Sequence, residues 1–411
     1  MKRLESVSFS KARELAIQES PVIKQVEIVM IDNALYRVLA EDIICLKNLP
    51  SFNNSAMDGF AFRYEDKGKK VKIISTIFTG DKPSSILEDE SCYKIMTGAQ
   101  VPNDADTIVP IEDCKDFDGE YVTLPINIKK GNAFRFKGEE QKKGSVLFKK
   151  GELLTPAHIA MLSAQGIVAI KVHKELKIAI VSTGNEIKEP WDKASEDEIY
   201  NANAFGIDAL LKKFGFKPTY AGSIPDNLEE SIKFIENLTS YDVIITTGGI
   251  SMGDADFLEE AFLKNNLKVL FHGVNVKPGR PTMMGLIRDS FVMAMPGNPL
   301  TAMLNTFLLS LPILFKIQGS KEFNHSFVYA KNNKEFKAKP GRTNIVLGKL
   351  KDGDFFATRE NKYGSGMLTP IIESNCLAIL GEEKNGAKEG EILKVILFDS
   401  FPLSQSSNFI N

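Results

Sequence analysis

Residues 241–256 could hold an anion and a cation side by side. The stretch Tyr241-Asp242-Val243-Ile244-Ile245 is short, apolar and β-branched, the composition of a buried strand. It runs into Thr246-Thr247-Gly248-Gly249-Ile250-Ser251-Met252-Gly253-Asp254-Ala255-Asp256. Gly248 and Gly249 allow the positive φ of a tight turn, Gly253 opens a helix, and Asp254 and Asp256 stand two residues apart. A strand, a glycine loop rich in N–H groups and a helix start form an anion site. Carboxylates beside such a site suit a hard cation, so the first chemistry suggested is phosphate plus Mg²⁺. The same pattern also suits a plain strand-to-helix turn with an acidic cap.

Strands alternating with helices from about Lys177 predict the parallel sheet that carries this loop. The strand candidates are Lys177–Ser182, Lys217–Gly222, Tyr241–Thr246, Lys268–Gly273 and Phe291–Met295. After them come Thr183-Gly184-Asn185-Glu186, Ser223-Ile224-Pro225-Asp226, the glycine loop, Val276-Lys277-Pro278-Gly279-Arg280-Pro281 and Pro296-Gly297-Asn298-Pro299. Carboxyl ends of such strands share one edge, where ligands bind at a topological switch point. Glu186, Asp226, Asp254 and Asp256 are expected to converge there, with Lys277 and Arg280 opposite. Mg²⁺ takes one or two carboxylates beside substrate phosphates, while Arg and Lys grip an oxyanion. Pro296 and Pro299 would stiffen the loop around Asn298, and Gly297 would permit close backbone approach. Each residue alone reads as a cap or a solvated charge; the case rests on their common edge. No P-loop is present, and no G-x-G-x-x-G follows the first strand; Gly364-Ser365-Gly366 lacks the third glycine.

The rest of the chain must position that edge. At 411 residues it exceeds one core, and roughly two to four domains are expected. Composition is ordinary for a globular protein, 43% hydrophobic and 25% charged, and the net charge of −2 argues against nucleic acid. The N-terminus has no apolar signal core. The longest uncharged stretch, Ser290 to Phe315, is interrupted by Pro296, Gly297, Pro299 and Pro312, and reads as a buried strand–loop–helix rather than a membrane span. Four scattered cysteines and four dispersed histidines argue against zinc and fit a reducing cytoplasm. The segment from about Phe9 to Ala40 opens as a helix capped by Ser10, which Pro21 ends. Leu46 to Arg63 reads as a loop, and β-rich runs between Val71 and Thr123 form a small β-containing domain. Thr155 caps a helix with Pro156 at its first position. Beyond about Gly319, short runs near 327–330, 343–346, 355–357, 377–380 and 392–397 predict an all-β C-terminal domain. By chemistry alone the two outlying stretches that hold Asp58 and Thr97 read as structural turns, with Asp58 among apolar neighbours as a candidate buried acid.

Together these residues resemble the molybdopterin molybdenumtransferase family, bacterial MoeA and the E domain of gephyrin. The resemblance spans nearly the whole chain. It runs through Asn54-Ser55-Ala56-Met57-Asp58-Gly59-Phe60-Ala61, Ile95-Met96-Thr97-Gly98, Arg135-Phe136-Lys137-Gly138-Glu139-Glu140 and Ser182-Thr183-Gly184-Asn185-Glu186. It continues through the glycine loop, Lys277-Pro278-Gly279-Arg280-Pro281, Pro296-Gly297-Asn298-Pro299, Pro340-Gly341-Arg342 and Gly364-Ser365-Gly366-Met367.

The resemblance implies a multidomain α/β plus β fold in an elongated homodimer. Domain I would comprise residues 1–45 and 138–173, with domain II inserted as a β-containing domain at 46–137. Domain III, at 174–318, would be the molybdopterin-binding α/β domain with a mixed, mostly parallel sheet. Domain IV, at 319–411, would be β-rich. The active site would lie where domain III of one subunit faces domains I and II of the other. The implied reaction inserts molybdenum from molybdate into the dithiolene of adenylylated molybdopterin, with Mg²⁺, releasing AMP and molybdenum cofactor.

Position by position, Asp58, Thr97, Glu186, Asp226 and Asp256 match family catalytic positions, the last three as metal ligands. Gly248, Gly249, Ser251, Gly253, Lys277, Arg280, Pro296, Gly297, Asn298, Pro299 and Ser365 are the substrate-binding candidates. Lys277, Arg280 and the glycine-loop N–H groups are expected to receive molybdate, Asp58 to accept or shuttle a proton, and Asp254 to cap a helix. Two departures stand out: Asn185 where the family usually has Asp, and Arg280 where it often has Lys. A molybdopterin adenylyltransferase and recipient molybdoenzymes are the further partners implied, with no membrane. The alternatives are a related adenylyltransferase or nucleotide hydrolase, and a gephyrin-like scaffold.

Overall fold

The computed structural model describes residues 6–83, 86–225, 227–249 and 257–411. By packing, the chain forms two units: Met1–Glu41 with Lys150–Ile159 and Ala169–Asn411, and Asp42–Lys149 with Ala160–Val168.

The smaller unit is built on a five-stranded sheet, in the order Thr107–Pro110, Gly59–Phe62, Ser91–Ile95, Lys70–Ile77, Tyr121–Thr123. The loop expected through Arg63 is corrected here, because Gly59–Phe62 is a strand paired on both sides. Phe60 and Phe62 enter one core with Val71 and Val109, while Ala61 enters another with Tyr93 and Ile95. With both faces covered there is no polar alternation to mark the strand in the sequence.

In the larger unit the helix Phe9–Glu19 is capped by Ser8, whose Oγ accepts from the Lys11 N–H at 3.2 Å. Ser10, the expected cap, lies inside that helix, which ends before Pro21. The α/β sheet uses β1 (Ile178–Thr183), β2 (Thr219–Ile224), β3 (Val243–Thr247), β4 (Lys268–His272), β5 (Met283–Ile287) and β6 (Ser290–Met295). Their spatial order is β2-β1-β3-β6-β5-β4. Strands β2, β1, β3 and β6 are parallel; β5 is antiparallel to both β6 and β4. All five expected strands therefore point the same way, with β5 returning between them. Helix α1 (Ala202–Lys213) joins β1 to β2, and the chain then crosses to β3 on the other flank of β1. The β1/β3 border is thus the switch point of the sheet.

Residues Pro299–Ile317 form one long helix, α2, apolar enough by composition to cross a membrane, yet 89% of its most apolar window is buried in the protein. It is a core helix, packing Leu300, Leu304, Leu308, Leu311 and Leu314 with Phe271, Met293 and Phe291.

The C-terminal β region is a seven-stranded sheet in which Cys376–Leu380 pairs back on Thr343–Lys351, closing a small barrel. Two of the seven, Val7–Ser8 and Val274–Lys277, come from far away in sequence. Pairing of Lys277 with Asn344 carries the Lys277–Pro281 loop to that barrel rather than leaving it directly after β4.

Gly59 lies so close to the neighbouring strand that a Cβ would stand 2.1 Å from the Val109 carbonyl oxygen. Gly59→Ala should therefore cost about 1–3 kcal/mol through forced strand separation, read as a lower urea midpoint.

Candidate functional site

Register sets three loops side by side at the carboxyl edge. Ser182 of β1 is level with Thr247 of β3, which is level with Met295 of β6. The chain turns at Gly248 and Gly249 with φ of 86° and 66°, as the glycine pattern required. A Cβ at either glycine would lie 2.8 Å from Thr183 Oγ1, and one at Gly248 would also meet the Gly297 Cα at 4.0 Å. Thr183 Oγ1 donates to the Thr247 carbonyl at 3.1 Å, and Asn203 of α1 donates to the Gly297 carbonyl at 2.7 Å. The Gly248 N–H donates to the Met295 carbonyl at 3.1 Å. It therefore holds two strand ends together and is not an anion donor, a correction to the expected role.

Asp226, Ser251, Gly253, Asp254 and Asp256 lie outside the described residues. Glu186 stands exposed at the end of the β1 loop and makes no ion pair with a described residue. Among the described residues no group of three His, Cys, Asp or Glu is placed to hold a metal. The expected acidic convergence is thus represented there by Glu186 alone. A carboxylate exposed at the sheet edge is the kind of hard oxygen ligand that Mg²⁺ takes beside substrate phosphates.

Lys277, Arg280, Pro296, Asn298 and Ser365 meet in a cavity of about 310 Å³. The barrel adds Arg342, Asn344, Asn361 and Tyr363 to its lining. None of the three cations is ion-paired with a described residue, and all three line the cavity. The loop is held from beneath by Asn305 of α2, fully buried, whose Nδ2 donates to the Gly279 carbonyl at 2.9 Å. Gly279 has φ 112°, and a Cβ there would stand 2.6 Å from the Asn305 amide. Asn298 donates to Ser365 Oγ at 3.0 Å, tying the proline loop to the barrel. Asn344 holds the Arg342 turn by donating to the Lys339 and Arg342 carbonyls at 2.9 and 2.7 Å. Tyr363 accepts the Leu347 N–H at 2.8 Å, and burial pushes its phenol up to about 12, so it stays protonated. Sequence reasoning singled out Lys277, Arg280 and Ser365 but not Arg342, Asn361 or Tyr363. Only Arg342 carried a signal, the Pro340-Gly341-Arg342 turn. Three cations, amide groups and a neutral phenol suit a small multivalent oxyanion.

Asp58 and Thr97 meet in the smaller unit. Asp58 Oδ1 accepts both the Thr97 hydroxyl and the Thr97 N–H at 2.6 Å. Thr79 Oγ1 donates to the Thr97 carbonyl at 2.8 Å, fixing that turn from its other side. The Asp58 carboxyl is exposed, correcting the reading of a buried acid. The Thr97 hydroxyl, then its N–H and the nearby Lys94 charge, hold it below the usual carboxylate range. It is ionised at neutral pH and poor at shuttling protons there.

Fold and cavity define a multidomain α/β protein with a pocket lined by three cations at its sheet edge. Known proteins make the assignment specific. Family models match in order: "MoeA N-terminal region (domain I and II)" at residues 7–166, "Probable molybdopterin binding domain" at 179–316, and "MoeA C-terminal region (domain IV)" at 329–398. A Haemophilus influenzae molybdopterin molybdenumtransferase is 31% identical over 402 residues, covering 96% of this chain and 99% of the relative. One from Staphylococcus aureus is 30% identical over 382 residues, covering 90% and 91%. A crystal structure of the Pyrococcus horikoshii molybdopterin biosynthesis moeA protein superposes with a TM-score of 0.81 at 27% identity, over 96% of this chain and all of that one. The chain belongs to the MoeA family of molybdenum cofactor biosynthesis.

Because the Asp58 carboxyl is held low by Thr97, Thr97→Val should move its titration midpoint up toward the ordinary value. Carboxyl-carbon NMR of the two proteins measures this directly; an unchanged midpoint would contradict the assigned cause.

Proposed function

We propose that this chain works as a molybdopterin molybdenumtransferase, inserting molybdenum from molybdate into the dithiolene of adenylylated molybdopterin and releasing AMP. The observation that carries the reading is the cavity where Lys277, Arg280 and Arg342 converge without carboxylate partners among the described residues. Molybdate is a tetrahedral dianion, and this lining offers charge, amide groups and a hydroxyl at Ser365 to its oxygens. Gly248, Gly249, Pro296, Gly297, Asn298 and Pro299 form the backbone floor that lets the pterin phosphates approach the sheet edge. Glu186 is the candidate ligand for Mg²⁺ among the described residues, with Asp226 and Asp256 as further candidates outside them. Bound there, Mg²⁺ would offset negative charge on the adenylyl pyrophosphate. Asp58, ionised and oriented by Thr97, accepts hydrogen bonds from water or a hydroxo group as oxygen leaves molybdenum.

We further propose that the chain works as a homodimer in the cytoplasm, with the domains divided at 1–45 with 138–173, 46–137, 174–318 and 319–411. The family descriptions support that division by naming domains I and II for residues 7–166 and domain IV for 329–398. A partner surface is supported by Val26, Ile28 and Met30, exposed at alternate positions of a strand that among the described residues pairs only with Ala169–His173. A molybdopterin adenylyltransferase supplies the substrate, and molybdoenzymes take the product.

The deciding assay supplies purified protein with adenylylated molybdopterin, Mg²⁺ and molybdate, and follows AMP. Molybdate-dependent AMP is expected; its absence from intact protein sinks the reading. Asp58→Asn and Glu186→Gln should each slow release at least about tenfold with little loss of pterin affinity. Ile28→Glu should shift the protein from dimer to monomer in light scattering, and an unchanged mass removes that surface from the interface.

A further inference from the structure

We infer that Ser6, in the amino-terminal segment, is a positioning residue for Arg280 and thereby sets the grip of the cationic cavity on its oxyanion. This rests on the reading of that cavity as the molybdate pocket. Ser6 Oγ accepts the Arg280 Nε–H at 3.2 Å. The contact is held by a local ladder: Val7 N–H donates to the Gly273 carbonyl at 3.1 Å, and Val7 and Ser8 pair in parallel with Val274 and Asn275. Ser8 then caps the helix Phe9–Glu19, which anchors the segment in the core through Phe9, Ala12 and Ala16. Gly273, at φ 97°, makes room for Ser6, because a Cβ there would stand 2.7 Å from the Ser6 hydroxyl oxygen.

A guanidinium has two edges that can bind an oxyanion with paired N–H groups, and one of them includes Nε. With Nε engaged by Ser6, the remaining edge is the terminal Nη pair. That pair makes no ion pair with a described residue, and Arg280 lines the cavity. Ser6 therefore selects which edge of Arg280 is offered to the ligand and restrains the side chain before binding. A Lys here would have no Nε–H in mid-chain to be held this way. The segment that docks beside the loop thus acts on the cavity without touching its ligand.

The test is a double-mutant cycle on the full chain, titrating molybdate alone by calorimetry. Ser6→Ala should weaken molybdate about three- to tenfold, the size of one ordinary net hydrogen bond, and Ser6→Thr should restore it. In the assay, Ser6→Ala should raise KM for molybdate and leave both kcat and KM for adenylylated molybdopterin in place. In an Arg280→Ala background, Ser6→Ala should have no further effect. An equal loss with and without Arg280 would mean that Ser6 acts through the fold, and would overturn the inference. No loss from Ser6→Ala in the native background would overturn it as well. If Arg280→Ala itself binds molybdate normally, the pocket reading fails first and takes this inference with it.

Discussion

The level ending of three parallel strands is the constraint on which the site depends. Ser182, Thr247 and Met295 lie in one row across the sheet, so the loops beyond them start within reach of one another. Backbones can approach there only because Gly248 and Gly249 carry no side chain against Thr183. The hydrogen bond from Gly248 to Met295 converts this closeness into rigidity. The edge that should bind thus consumes one of its own donors in holding its shape.

Positive charge is placed by a second structure. The strand Val274–Lys277 leaves the α/β sheet and joins the C-terminal barrel, carrying Lys277 and Arg280 to meet Arg342, Asn361 and Tyr363. Asn305 grips this loop from the core helix, and Asn298 ties the proline loop to Ser365. Three cations lining one cavity repel one another, and the buried amides of Asn305 and Asn344 hold the loops that carry them. The polar residues at its rim are therefore structural in two directions: they satisfy backbone groups and they hold like charges close.

Asp58 shows how local chemistry can reverse a first reading. Between small and apolar residues it looks like a buried acid, yet it is exposed, and Thr97 supplies two donors to one oxygen that favour its anion further. The neighbouring strand Gly59–Phe62 takes up the apolar residues on both faces of its sheet, leaving Asp58 at the surface.

Local sequence determined much of this. Strand-like runs alternating with helical segments marked the five like-directed strands, a glycine pair marked the turn at 248–249, and proline and glycine interruptions marked the buried helix after Ser290. Ordered motifs, from the Asp58 turn to Ser365, were enough to indicate the family, because each is a short-range backbone requirement readable from residue types. Tertiary structure alone decided what depends on contacts across hundreds of residues. The Gly59–Phe62 strand lacks alternation because both its faces are buried. The strand Val274–Lys277 takes its partners from Val7–Ser8 and Thr343–Lys351. Arg342, Asn361 and Tyr363 become pocket residues only when the barrel closes beside the sheet. No periodicity along the chain encodes such pairings, since they are settled by which surfaces bury one another on folding.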